Sequence, residues 1–163
     1  MVDETTGKVV AQHNGIWNFT IGEGARIPGF PEKLFVSGKN LASNTIHVVP
    51  GTDNPILNCV TLHVSGFYWI WKDSPPAELD SMSGFRANVK HRYRMEHEAC
   101  TVYRCVSLLL IENNLTKWEN RLPSSGQIKI DLDKPNKSVS PGQVATLYTD
   151  SWCLGCGIIE RTS

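Results

Sequence analysis

FRANVKHRYR, residues 85 to 94, alternates without a break. Phe85, Ala87, Val89, His91 and Tyr93 fall on one side of an extended chain, and Arg86, Asn88, Lys90, Arg92 and Arg94 on the other. A period of two over the whole stretch predicts a β-strand from Phe85 to Arg94. Its outer face carries four cations and no carboxylate. A solvated strand face ordinarily mixes signs. The row therefore reads either as an anion-binding strand suited to nucleic-acid phosphates or as a solubilising strand paired with Glu96, Glu98 and Glu112.

The chain around it has the same texture. Downstream, Cys100 to Ile111, Gly126 to Leu132, Val144 to Tyr148 and Gly157 to Ile159 are predicted strands. Asn113-Asn114, Pro141-Gly142 and Trp152 to Cys156 are predicted turns. Upstream, Lys8 to Ala11, Lys33 to Lys39 and Thr45 to Val49 read as strands, and Ile16 to Ile21 as a short strand or an irregular packed segment. LNCVTLHVSGFYWIW, residues 57 to 71, starts a new unit and ends in an aromatic cluster, which Pro75 and Pro76 break. No helix-length amphipathic stretch stands out, and Pro76 to Leu79 starts one turn at most. Many short strands at regular spacing indicate a small barrel or sandwich. A boundary near residues 57 to 60 makes two small β domains.

Bulk composition agrees with a folded protein: 163 residues, 40% hydrophobic and 20% charged. The formal net charge is zero, so only local patches can argue for nucleic acid. The longest uncharged apolar run, VSLLLI at 106 to 111, is too short to span a bilayer, and no membrane partner is expected. MVDETTGK at the start is neither a secretory signal nor an Arg-rich transit peptide, and its abruptness suggests a piece of a longer protein. Five cysteines without a signal peptide read as free thiols in a reducing compartment. In that setting the glycosylation patterns at Asn18, Asn114 and Asn136 carry no meaning.

Cys153 and Cys156 bracket Leu154-Gly155. A structural zinc needs two further soft ligands, and the other cysteines are scattered. A redox pair ordinarily precedes a helix, whereas strand-like residues follow here. The remaining reading is a hairpin turn. Gly22-Glu23-Gly24 is a weak phosphate-loop candidate without a helix behind it. Lys8, His13, Arg26 and Lys33 add a thin basic set. Trp17, Trp69 and Trp71 could stack on bases but are better read as core. Asp131 and Asp133 read as a charged exterior, with Lys129 or Lys134 as partner. Neither His13 nor Ser140 has a catalytic context, so no catalytic residue and no metal site is expected.

Several stretches together resemble the tRNA-specific 2-thiouridylases. HNGIWNFTIGEGARIPG (13–29) is similar to their His-x-Gly-x-x-x-x-Thr-Ile-Gly-Gln-Arg segment, and FPEKLFVSGKNLASNTIHVVPGTDNPIL (30–57) to the stretch that follows it. HRYRM (91–95) resembles their Arg-Tyr-Arg strand. VSPGQVATLYTDSWCLGCGIIE (139–160) resembles their terminal Pro-Gly-Gln and Cys-Leu-Gly segment. The order is the same, and the wording at Ala25 to Gly29 is most like the mitochondrial members.

The resemblance implies a mostly β fold: a small central β-rich domain (1–58) followed by a C-terminal antiparallel β-barrel (59–163). It implies a tRNA-binding fragment of an enzyme that 2-thiolates the wobble uridine by ATP-dependent sulfur transfer. The family's Ser-Gly-Gly-x-Asp-Ser loop and its catalytic cysteines match nothing in this sequence. ATP is therefore expected in an N-terminal ATP-pyrophosphatase-type domain and no cofactor in this chain. The implied partners are tRNA, that domain and a sulfur-donor protein, and the implied location is the mitochondrion. Arg92 and Tyr93 fall on the family's tRNA-contacting Arg-Tyr pair and Gln143 on its Pro-Gly-Gln contact. With Lys90, Arg94, Arg86 and Arg26 they form the expected tRNA-binding set. One departure is Glu23-Gly24, where the family has Gln-Arg; Arg26 stands two positions beyond as a possible substitute. The rival readings are a translation-factor-like RNA-binding barrel and a protein-interaction module.

Overall fold

The structure is a computed structural model that describes residues 1–70, 75–105, 126–137 and 139–163. The chain divides into two compact units. One comprises Met1–Cys59 with Pro135–Ser140, the other Val60–Lys134 with Pro141–Ser163.

The smaller unit rests on three strands. β1 (Val2–Asp3) pairs parallel with β3 (Thr45–Pro50), and β3 pairs antiparallel with β2 (Leu34–Asn40). Leu34 and Val36 on β2 and Ile46 and Val48 on β3 alternate inward, where Met1, Ile16 and Ala25 close over them. Each such aliphatic side chain contributes about 1.5–3 kcal/mol when fully buried. The predicted strand at Lys8 to Ala11 reduces to a single bridge between Val9 and Val2. Ile16–Asn18 is one 3-10 turn that buries Ile16 and leaves Trp17 80% exposed, so Trp17 is not a core residue.

In the larger unit six strands close into a barrel. They are β4 (Asn58–Trp69), β5 (Phe85–Lys90), β6 (Glu98–Arg104), β7 (Gly126–Lys137), β8 (Val144–Thr149) and β9 (Trp152–Thr162). Their order around the wall is β4-β7-β6-β5-β8-β9. Closure removes the free edges that an open sheet of short strands would expose. The interior is filled at period two by Leu62, Val64, Val89, Val102, Ile130, Leu147 and Ile159, with Phe67 joining after the register slips between Ser65 and Tyr68. The mostly-β architecture with a closed antiparallel barrel is as expected.

Two local expectations are corrected. The strand at Phe85 ends at Lys90 rather than Arg94. The Cys153–Cys156 segment is not a turn but part of β9; the reversal lies at Asp150-Ser151, with Asp150 in the left-handed region (φ 51). Gly155 and Gly157 serve a close crossing instead. A Cβ at 155 would stand 2.1 Å from the Tyr68 carbonyl oxygen, and one at 157 would stand 2.6 Å from Val64 Cγ1. Bare backbone is what lets β9 pass against β4.

Ala77–Asp80 forms the single short turn expected near Pro76. Trp71, the VSLLLI run, Glu112, the Asn113-Asn114 turn, the Asn114 pattern and Ser138 lie outside the described residues. Among the described residues no helix is long and apolar enough to cross a membrane.

Candidate nucleic-acid interface

Beyond Lys90 the chain folds back on itself. The Met95 N–H donates to the Arg92 carbonyl (3.4 Å), and the His91 N–H donates to Met95 Sδ (3.3 Å). A reverse turn replaces the last residues of the predicted strand. Alternation would have pointed Tyr93 inward; the turn holds it 89% exposed, between exposed Arg92 and Arg94. Three consecutive side chains are thus exposed where a strand would have turned the middle one inward.

Gln143 comes to the same place through the β5–β8 ladder. Asn88 pairs with Tyr148 and Lys90 with Thr146, so the residues after β5 run beside the residues before β8. The Gln143 side chain faces the His91 imidazole. Arg92, Tyr93, Arg94 and Gln143 therefore share one end of the barrel, with half-buried Lys90 at its base.

His91 supports this end from below. It is 6% exposed, and among the described residues neither ring nitrogen completes a hydrogen bond. Burial, and then the Arg92 charge, lower its pKa; Glu98 and Gln143 act in the opposite direction without reversing it. A neutral imidazole leaves the local charge to the arginines.

The remaining expected residues are placed differently. Arg86 lies on the outside of β5, where it donates to Thr101 on β6 (2.7 Å) and to both carboxylate oxygens of Asp133 on β7 (2.8 and 2.7 Å). The partner of Asp133 is thus Arg86 rather than a lysine, while Asp131 does take Lys129 (2.7 Å). Arg26, at φ 54, pairs with Glu23 (2.9 Å) on the smaller unit. The Glu23 carboxylate also accepts from the Thr20 N–H (3.2 Å), so it fastens its own loop.

The Gly22–Gly24 segment does not fit a phosphate cradle. The Gly22 N–H donates to the Val36 carbonyl, that of Glu23 to Thr20 and that of Ala25 to Leu34. Two of these donors are spent on β2 and one on the segment's own loop, so they are not free to cradle a phosphate. Cys153 and Cys156 sit three residues apart on a strand, which sets their Cα atoms roughly 9–10 Å apart, beyond disulfide reach. Among the described residues no cluster of three metal-ligating side chains occurs. Trp69 packs its ring on Phe67 with centroids 4.6 Å apart, as a core-side residue does.

One pair escaped sequence reasoning. His97 stacks on Tyr148, with ring centroids 4.5 Å apart and planes 19° apart. Val89 pairs with Glu98 and Asn88 with Tyr148, so the residue just before β6 and a residue of β8, on either side of β5, supply the two rings. Only the register of three strands brings them together, and no local motif announces it.

The family model for the tRNA methyl transferase PRC-barrel domain matches residues 1–50, and that for the aminomethyltransferase beta-barrel domain matches residues 112–159. The chain is 31% identical over 162 residues to the tRNA-specific 2-thiouridylase MnmA of Chlamydia pneumoniae, covering 98% of this chain and 38% of that protein. It is 33% identical over 163 residues to the protein of that name from Paraburkholderia xenovorans (strain LB400), and 34% identical over 163 residues to that of Paraburkholderia phytofirmans. In both cases 96% of this chain and 37% of the relative are covered. The chain thus spans well under half the length of the curated relatives it matches. Two domain matches in chain order, and similarity running nearly end to end, place the chain in the tRNA-specific 2-thiouridylase family.

Proposed function

We propose that this chain is the tRNA-holding part of a 2-thiouridylase, and that the ATP-dependent transfer of sulfur to the wobble uridine is performed by sequence present in the longer relatives. The observation that carries this reading is the exposed Arg92-Tyr93-Arg94 turn set beside Gln143. Two guanidinium groups offer several fixed donors to phosphate oxygens, and a phenol between them can stack on a base or bond a sugar. Such contacts grip a folded RNA by backbone and shape, which suits positioning a whole anticodon arm.

Two features support a division of labour. The Gly22, Glu23 and Ala25 amides of the smaller unit are committed to β2 and to their own loop. The two thiols of β9 are too far apart to act as a pair. A sulfur-donor protein and the ATP-pyrophosphatase-type domain are then partners of the longer protein. The similarity of Ala25 to Gly29 to mitochondrial members supports a mitochondrial location, which fractionation of cells making the full protein would check.

The test is titration of the chain with a tRNA transcript at several salt concentrations. The expected result is saturable binding that weakens steeply with salt. Binding that is absent, or indifferent to salt, would leave the barrel as a protein-interaction module.

A further inference from the structure

A concavity of about 500 Å³ opens beside the turn, lined by Lys90, Tyr93, Arg94, Met95, Glu96 and His97. Its volume falls in the roughly 300–1,000 Å³ range of small-ligand sites. Five cations elsewhere among the described residues are committed to carboxylates. Arg26, Arg86, Arg104, Lys129 and Lys137 are each held by a carboxylate, on Glu23, Asp133, Asp80, Asp131 and Asp53. Among the described residues Lys90, Arg94 and Glu96 enter no ion pair, although they line the same hollow. Two cations and one carboxylate are thus held close without neutralising one another.

The other three lining residues are suited to a flat ring. Tyr93 is a free-standing phenol at the rim. His97 is held rigid by its stack on Tyr148, so its ring costs little entropy to order. Met95 forms a soft, polarisable wall, fixed where its sulfur receives the His91 N–H.

We propose that this hollow is a subsite for one unstacked guanine nucleotide. Lys90 and Arg94 take the phosphate, Tyr93 and His97 take the faces of the base, and Glu96 reads its edge. A carboxylate is an acceptor only, and guanine is the base whose Watson–Crick edge sets two N–H donors, N1–H and the 2-amino group, side by side. Adenine presents a ring nitrogen acceptor at the first position and is repelled. The proposal rests on the RNA-holding reading for its source: the guanine is an unpaired base of the bound tRNA, and a free guanine nucleotide is the other possible supplier of the same chemistry.

The test titrates the full chain with GMP, IMP and AMP while following backbone amide resonances of residues 90–97. IMP differs from GMP only in lacking the 2-amino group. The expected order is GMP tighter than IMP, and IMP tighter than AMP, with GMP favoured over AMP by roughly tenfold. Glu96→Gln should abolish that preference without changing the melting temperature, since Glu96 is exposed. Arg94→Ala should weaken all three nucleotides alike. Equal binding of the three, no saturable binding, or a preference that survives Glu96→Gln overturns the subsite. Competition then assigns the source. If GMP displaces a tRNA transcript, the guanine belongs to the RNA; if the two bind together, the site takes a free nucleotide. A transcript that binds while no mononucleotide does leaves the RNA-holding function standing and removes only the subsite. A transcript that fails to bind removes the function itself.

Discussion

Arg86 on β5 reaches across Thr101 on β6 to grip both carboxylate oxygens of Asp133 on β7. One side chain thereby ties three neighbouring strands of the barrel wall. Its charge is committed, unlike that of Arg94. Asp133 in turn has its pKa lowered, first by the hydrogen bonds from Arg86.

Arg86→Ala should therefore loosen the barrel while leaving tRNA affinity within about twofold and the salt slope unchanged. The stability arising from the Asp133 shift is present above the ordinary carboxylate pKa and is lost as pH falls through the lowered folded value, below about pH 4. Urea midpoints measured down through that window should show a smaller loss in Asp133→Asn than in the wild type, since Asp3 and Asp53 are lowered as well.

Arg92→Ala and Arg94→Ala should each weaken tRNA binding about tenfold and lower the slope of log affinity against log salt by about 1. Tyr93→Ala should weaken binding without altering the slope, because a stacked or hydrogen-bonded phenol displaces no counterion. Filter binding across ionic strengths separates these outcomes. A Tyr93 variant with a reduced slope would contradict the assigned roles.

Gly155→Ala should cost about 3 kcal/mol, since its methyl would stand against the Tyr68 carbonyl and the Phe67 ring, neither of which can retreat. Gly24→Ala should change stability by no more than about 0.5 kcal/mol, because its methyl would meet the Phe35 ring at an ordinary 3.9 Å. Chemical denaturation of the two variants checks the contrast.

Thiol labelling of the native chain should be ordered by burial. Cys156 is exposed and should react first. Cys100 is buried, and burial pushes its thiol up to about 12, so it should react only when the barrel opens. Peptide mapping after timed alkylation reads the order, and early modification of Cys100 would be incompatible with a closed barrel.

The same chain should lose stability in mild acid through His91. Its folded pKa is lowered by burial, then by Arg92, so protons bind the unfolded chain first. Stability is full above the ordinary histidine value and declines as pH falls from about 6.5 toward the folded value. His63, lowered by burial, Arg161 and Lys129, acts in the same direction. His91→Gln should flatten much of the decline between about pH 7 and pH 5, and adding His63→Gln should flatten the rest.

The sequence displayed the barrel strands because burial alternates along them: Phe85 to Val89 and Val144 to Leu147 read correctly residue by residue. It did not display the turn at Arg92, which is closed by backbone and by the Met95 sulfur, without glycine or proline to mark it. The Arg86–Asp133 grip was hidden for another reason. Its partners are far apart in the chain and meet only when three strands take one register. Gly155 and Gly157 were visible as glycines but misread, since a tight crossing and a tight turn ask for the same residue. The grouping of Gln143 with the arginines came from family resemblance. The β5–β8 ladder supplies its physical cause.

Residues 135–140 belong to the smaller unit although they follow most of the barrel in the chain. They bring it buried Val139, the Lys137–Asp53 pair and the Ser140 hydroxyl that donates to the Ile21 carbonyl. A recombinant piece ending at Cys59 would lack all three. The smaller unit is thus not a detachable cassette: its last stitches are translated with the end of β7 and just beyond it, so its folding during synthesis cannot finish until β4 to β7 of the barrel have been made.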